Sequence, residues 1–328
     1  MRPLIAALLT FSFLQCISIN REVIISGNGV SLAGTLVTPG SKTPEDVVIM
    51  VTGSGPQDRD ETIMGHKPFK VIADSLATHG IASLRLDDRG VGASTGNISG
   101  NTVDMLNSDI TRAIAYVDSL YPESRIGILG HSQGGTIAIR QGAHNPRVGY
   151  IITLAAPAWA GDSLIMSQSR AIAVAHTGRW DAEHDQRYIM DVAKSPLPAI
   201  TARTLIYNHI NAKLSDTARL PQVQEQVTTQ INAVCSDYYR EMLRYDPADD
   251  IKHVNIPWLA LNGTKDIQVL IGNLETIRNL NPKAHVIECQ GMNHLFQPAI
   301  TGLMNEYSQA VPTPDPQVIT TIINWIKH

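Results

Sequence analysis

The stretch Gly130-His131-Ser132-Gln133-Gly134 constrains this 328-residue chain more than any other. It follows the apolar run Arg125-Ile126-Gly127-Ile128-Leu129 and leads into small residues, Gly134-Gly135-Thr136-Ile137-Ala138-Ile139. A strand, a sharp turn and a helix in that order strain the serine backbone and lift its hydroxyl above the sheet. Side chains at the flanking positions would clash, so glycine is needed there. The G-x-S-x-G spacing alone is weak, because Gly92-Ala93-Ser94-Thr95-Gly96 matches it too. Ser94 follows the polar turn Asp87-Asp88-Arg89-Gly90 and no apolar helix comes after it, so it reads as loop. Context selects Ser132.

Around this turn, strand and helix patterns alternate. Gly27-Asn28-Gly29, between apolar runs at 23–25 and 32–37, signals a hairpin. Segments 47–51, 81–86 and 150–155 read as strands, and 69–79 and 103–120 as helices. The rhythm breaks after Pro157: from 161 to 246 the chain has helical periodicity and no convincing strand, punctuated by Pro196, Pro198 and Pro221. Strands resume at 258–261 and 284–288, and an amphipathic helix at 316–326 closes the chain. The pattern predicts an α/β fold with a mainly parallel sheet, helices on both faces and an N-terminal hairpin. Its core spans 19–160 and 247–328, with 161–246 inserted as a helical cap.

Composition, 43% hydrophobic and 17% charged, suits a large core. A net charge of −4 without runs of like sign gives no footprint for nucleic acid. Residues 1–18, with Arg2 before an apolar run at 4–14, read as a signal peptide cleaved near Ser18, which predicts an exported protein, periplasmic or extracellular. That run is too short to span a membrane, and no later run is longer. Cys16 raises lipidation, but Gln15 stands where a small residue is required, so Cys16 is expected to leave with the leader. Cys235 and Cys289 then read as separate buried thiols. No cysteine–histidine spacing suggests a metal, and nothing calls for a cofactor. The oligomeric state is left open.

A serine hydroxyl needs a base, and the base needs an orienting acid. With this turn in a parallel sheet, the acid and then the base follow the serine in the chain. Asp266 closes Asn262-Gly263-Thr264-Lys265-Asp266 and His294 closes Gly291-Met292-Asn293-His294, each just beyond a strand, where open α/β sheets place their ligands. Alone, such an aspartate is often a turn former and such a histidine is unremarked; their order and their positions at strand ends single them out. His131 is expected to point away beneath the serine. His66, His176, His184, His209 and His253 fall in loops or in the insert, and Glu288 lies within a strand. Backbone donors for a developing oxyanion are expected from Gln133, at the start of the helix, and from Ser54 in Thr52-Gly53-Ser54-Gly55-Pro56, a stretch that also reads as a plain Gly-Pro turn. Asp58, Arg59, Asp60, Asp87, Asp88 and Arg89 are expected to pair with one another and hold loops.

These stretches, together with Leu32-Ala33-Gly34-Thr35-Leu36, Gly53-Ser54-Gly55-Pro56-Gln57-Asp58-Arg59-Asp60 and Tyr245-Asp246-Pro247, resemble the α/β-hydrolases. Within them the chain is similar to bacterial carboxylesterases of the serine-aminopeptidase-like and dienelactone-hydrolase-like branches. The resemblance implies Ser132 as nucleophile, Asp266 as acid, His294 as base, Ser54 and Gln133 as oxyanion donors, and a small-molecule carboxylic ester as substrate. Thr52 departs from it, since many relatives carry histidine there. Apolar faces of the insert (Leu164, Ile165, Ile172, Val174) are expected to roof the pocket and favour uncharged groups. A peptidase releasing an N-terminal residue is the first rival, and needs an anion in the insert such as Glu183, Asp185 or Glu225. The second is a hydrolase fold that only binds.

Overall fold

The computed structural model describes residues 18–40, 42–98, 101–214 and 220–328. Cys16 and the rest of the expected leader up to residue 17 lie outside the described residues. The strands are β1 (Ser18–Gly27), β2 (Val30–Pro39), β3 (Asp46–Val51), β4 (Ala82–Leu86), β5 (Arg125–His131), β6 (Val148–Leu154), β7 (Trp258–Gly263) and β8 (His285–Cys289). They form one sheet in the order β1-β2-β4-β3-β5-β6-β7-β8. β1 and β2 are the antiparallel hairpin, turning at Asn28 (φ 51°) and Gly29 (φ 72°), and β2 runs antiparallel to β4. Every later pairing is parallel.

A parallel strand covered on both faces needs apolar side chains on both, which explains the unbroken Val47–Met50 run, all of it buried. On one face α1 (Pro68–Thr78) and the closing α11 (Pro316–Lys327) pack Phe69, Ile72 and Leu76 with Val318 and Ile322. The other face carries α2 (Val103–Leu120), α3 (Gln133–His144), α9 (Ala248–His253) and α10 (Gly272–Leu280), through Ile110, Ile114, Ile137, Ile251 and Ile277. The insert folds as α4 (Gly161–Thr177), α5 (Glu183–Lys194), α6 (Ala199–Asn211), α7 (Pro221–Val234) and α8 (Asp237–Arg244). Its prolines act as punctuation: Pro198 caps α6 and Pro221 opens α7. Met190, Ala193, Ile206, Ile231 and Leu243 give these helices an apolar cluster of their own.

Of the six charged residues expected to pair with one another, among the described residues only Arg59 and Asp87 do so; Arg89 and Asp60 find partners outside the set, and Asp58 and Asp88 accept from neutral donors. Arg59 holds Asp87 through Nε at 3.0 Å and Nη2 at 2.8 Å, Arg89 grips Asp109, and Asp60 meets Arg85 and Lys67. Cys235 and Cys289 are both free and buried, and burial pushes the Cys289 thiol up to about 12. Among the described residues no helix is long and apolar enough to cross a membrane.

Candidate active site

β5 ends at His131 and α3 begins at Gln133, so Ser132 alone makes the turn, with φ 51° and ψ −121°. Such a backbone costs about 1–3 kcal/mol in a residue with a side chain, and persists only where its surroundings impose it. Here the Ser132 N–H donates to the Leu154 carbonyl at 2.8 Å, and the Ser132 carbonyl accepts from Gly135 N–H at 2.9 Å. A Cβ on Gly134 would lie 2.1 Å from the Val51 carbonyl oxygen, and one on Gly130 would lie 2.1 Å from that of Gly134. Only glycine lets β3, β5 and α3 close this tightly.

Asp266 sits in the turn after β7. Its Oδ1 accepts the N–H groups of Gln268 and Val269 at 2.8 and 2.9 Å, and its Oδ2 lies 2.7 Å from His294 Nδ1. A carboxylate at Nδ1 keeps the proton there and leaves Nε2 with its lone pair. The loop carrying His294 is fixed by its neighbour: buried Asn293 accepts from the N–H groups of Leu295 and Gln297, both at 3.0 Å. Gln297 in turn donates to the carbonyls of Tyr307 and Ala310, both at 3.0 Å. Asp266 and His294 are thus in direct contact. Among the described residues Ser132 Oγ makes no hydrogen bond.

Ser132, Ser54 and Gln133 line one cavity of about 80 Å³, walled by Val103, Trp159, Leu164, Ile165, Met242 and Val269. Among the described residues no charged side chain lines it. The N–H groups of Ser54 and Gln133 have no hydrogen-bond partner among the described residues. Leu164 and Ile165 of α4 and Met242 of α8 bring the insert over the serine, whereas Ile172 and Val174 stand away from the cavity. Glu183, Asp185 and Glu225 do not line it either; Asp185 is taken by Lys213 and by His209 at 2.9 Å. His66, His176, His184, His209, His253 and Glu288 are likewise absent from its walls, and Asp266 and His294 stand behind them, next to the lining residues Gln268 and Val269 that Asp266 holds. Ser94, the second motif match, is a loop fastener: its hydroxyl accepts Ala33 N–H and donates to the Asp87 carbonyl, both at 2.8 Å.

Three contacts had no sequence signal assigned to them. His131 stays out of the cavity, as expected, but its ring is fully engaged: Nδ1 is 2.8 Å from Glu61 Oε1 and Nε2 is 2.9 Å from the His294 carbonyl oxygen. Burial alone would push its pKa down; the Glu61 charge and hydrogen bond and the His294 carbonyl outweigh that, and the net shift is upward. Tyr238 of α8 donates to Gln133 Oε1 at 2.5 Å. Asp88 accepts from Thr52 Oγ1 at 3.0 Å and from Gln57 N–H at 2.9 Å, and burial pushes its carboxyl up to about 7.

The family model for serine aminopeptidase, S33 (Hydrolase_4) matches residues 66–270, more than half of the chain. Esterase EstD of Thermotoga maritima is 24% identical over 279 residues, covering 84% of this chain. The chain spans only 60% of that relative's length. Among solved structures it is similar to the Pyrococcus furiosus esterase Pf2001, with a TM-score of 0.57 and 15% identity over 94% of this chain and 90% of that one. The α/β-hydrolase GrgF from Penicillium sp. sh18 gives a TM-score of 0.59 and 14% identity over 95% of this chain and 98% of that one. Ferulic-acid-bound Est1E from Butyrivibrio proteoclasticus gives 0.55 and 15% over 93% and 100%. At these identities the likeness speaks to the fold. The chain belongs to the serine aminopeptidase (S33) family of α/β-hydrolases.

Proposed function

We propose that this protein is a serine hydrolase that cleaves small, uncharged carboxylic esters through an acyl-enzyme. The observation that carries the reading is the 2.7 Å contact of Asp266 with His294, whose carbonyl oxygen lies 2.9 Å from the ring of His131, the residue before the strained turn of Ser132. In this mechanism Ser132 Oγ attacks the ester carbonyl carbon while His294 Nε2 takes its proton. Asp266 holds the resulting imidazolium through Nδ1. The carbonyl oxygen becomes an oxyanion between the N–H groups of Ser54 and Gln133; losing one such donor costs about 10²–10³ in turnover. As the adduct collapses, His294 returns the proton to the leaving alcohol and the acyl group stays on Ser132. Water then attacks the acyl carbon, gives a proton to His294, and frees the acid and the serine hydroxyl.

The cavity supports the choice of substrate. With a volume of about 80 Å³ and no charged wall, it suits a short apolar acyl group, and α4 and α8 of the insert set that limit as a cap. The name of the Thermotoga relative points the same way. The family name raises release of N-terminal residues, but that activity needs an anion to hold an α-amino group, and among the described residues none lines the cavity. Comparing kcat/KM for p-nitrophenyl esters of short acids with that for aminoacyl p-nitroanilides tests the reading. Ester hydrolysis should dominate. Faster cleavage of the anilides would transfer the protein to the peptidases, and turnover of neither would leave a binding module.

A further inference from the structure

Behind the cavity, a second pair of charged groups joins the parts of the site. Glu61 and His131 are both buried, at 3% and 5% exposure. Glu61 Oε1 accepts the Gly53 N–H at 2.7 Å and faces His131 Nδ1 at 2.8 Å, while His131 Nε2 faces the His294 carbonyl oxygen at 2.9 Å. We propose that Glu61 and His131 are positioning residues, a buried ion pair that ties the loop bearing Ser54 to the loop bearing His294 through the residue next to Ser132. The proposal rests on the Ser132–His294–Asp266 reading above.

The chemistry follows from counting donors. Both ring nitrogens of His131 face acceptors, a carboxylate and a carbonyl, whereas a neutral imidazole has one N–H to give. Both contacts are satisfied by the imidazolium with Glu61 as its counter-ion, whereas a neutral ring would need the proton to sit on Glu61 Oε1. Glu61 reaches this place at a price in backbone strain: its φ is 53°, with its N–H held by the Asp58 carbonyl at 2.9 Å. Removing one member of a buried pair leaves the other charge uncompensated, so the two loops lose their tie together. The rings of His131 and His294 lie 4.7 Å apart between centroids, and Asp266 is the other charge acting on His131. When His294 holds the serine proton, two imidazolium cations and two carboxylates, Glu61 and Asp266, occupy the centre and balance. Neither Glu61 nor His131 lines the cavity, so they act on the site through Gly53 and His294.

The test combines histidine ¹⁵N NMR with kinetics on Glu61→Gln, using His131→Gln to assign the resonance. In the wild type, His131 should carry protons on both nitrogens at about pH 8, well above the ordinary histidine value. In Glu61→Gln it should lose one of them. Misplacement of the two loops should lower kcat on a short p-nitrophenyl ester by about 100-fold. KM should shift much less than kcat, because Ser54 is the one described cavity-lining residue on the loops that move. A singly protonated His131 in the wild type at that pH overturns the proposal, as does a folded Glu61→Gln protein with unchanged kcat. If Glu61→Gln fails to fold, the wild-type spectrum alone decides. Undiminished turnover in Ser132→Ala would instead sink the reading of the site, while the His131 spectrum would still report on the ion pair.

Discussion

At Asp266 both carboxylate oxygens are engaged, Oδ1 by two backbone N–H groups and Oδ2 by His294 Nδ1. Asp266→Asn keeps the size and can keep the two backbone bonds through its carbonyl oxygen. Its amide then presents N–H to Nδ1, which drives the imidazole proton to Nε2 and removes the base. Turnover should fall by about 10⁴-fold with the fold intact, read from steady-state kinetics beside circular dichroism. Activity near that of the wild type would mean another carboxylate serves as the acid. The turn at Ser132 and the contact of Asp266 with His294 were legible in the sequence, because a motif pointed to the first and positions at strand ends pointed to the second. The Glu61–His131 pair was not, since it joins residues 70 positions apart and leaves no periodic pattern.

At the scale of elements, the βαβ rhythm carried most of the sheet. Strands buried on both faces are unbroken apolar runs, and the expected positions of β3, β4, β5 and β7 agree with the structure within two residues. β1 and β2 extend well past their apolar cores, because ladder pairing from Ser18↔Pro39 to Gly27↔Val30 continues through polar residues. α9 and α10 escaped the sequence reading for different reasons. α9 has 6 residues, too few to display a helical period. α10 is periodic at Leu274 and Ile277, and a parallel step from β7 to β8 demands a crossover there, so that signal was present. The seating of the insert was beyond sequence. It depends on α8, where Glu241 accepts the N–H groups of Val103 and Asp104, both at 2.9 Å, at the start of α2. Tyr238 on the same helix reaches Gln133 at the start of α3. One helix of the cap thus gives acceptors to the open N–H groups at the start of α2 and a side-chain contact to the first residue of α3.

For the whole molecule, two buried groups set how stability varies with pH. Burial raises the Asp88 carboxyl to about 7, and Glu61 holds His131 above the ordinary histidine value. Both groups bind their protons more tightly folded than unfolded. Their contribution is therefore full below their unfolded values and is lost as pH rises through the folded ones. The melting temperature should fall as pH rises from the ordinary carboxylate value to about 7 through Asp88, and fall further above the ordinary histidine value through His131; Asp88→Asn should remove the first part. A wild-type melting temperature that rises over this range would contradict the assignment. The central claim concerns Ser132, raised on a strained turn at the mouth of a small apolar cavity with its base and acid already paired. It is tested most directly by treating the protein with a fluorophosphonate and locating the added mass by peptide mapping. The account predicts one equivalent on Ser132 and none in Ser132→Ala; an unlabelled wild type, or label on Ser54 or Ser94 instead, would contradict it.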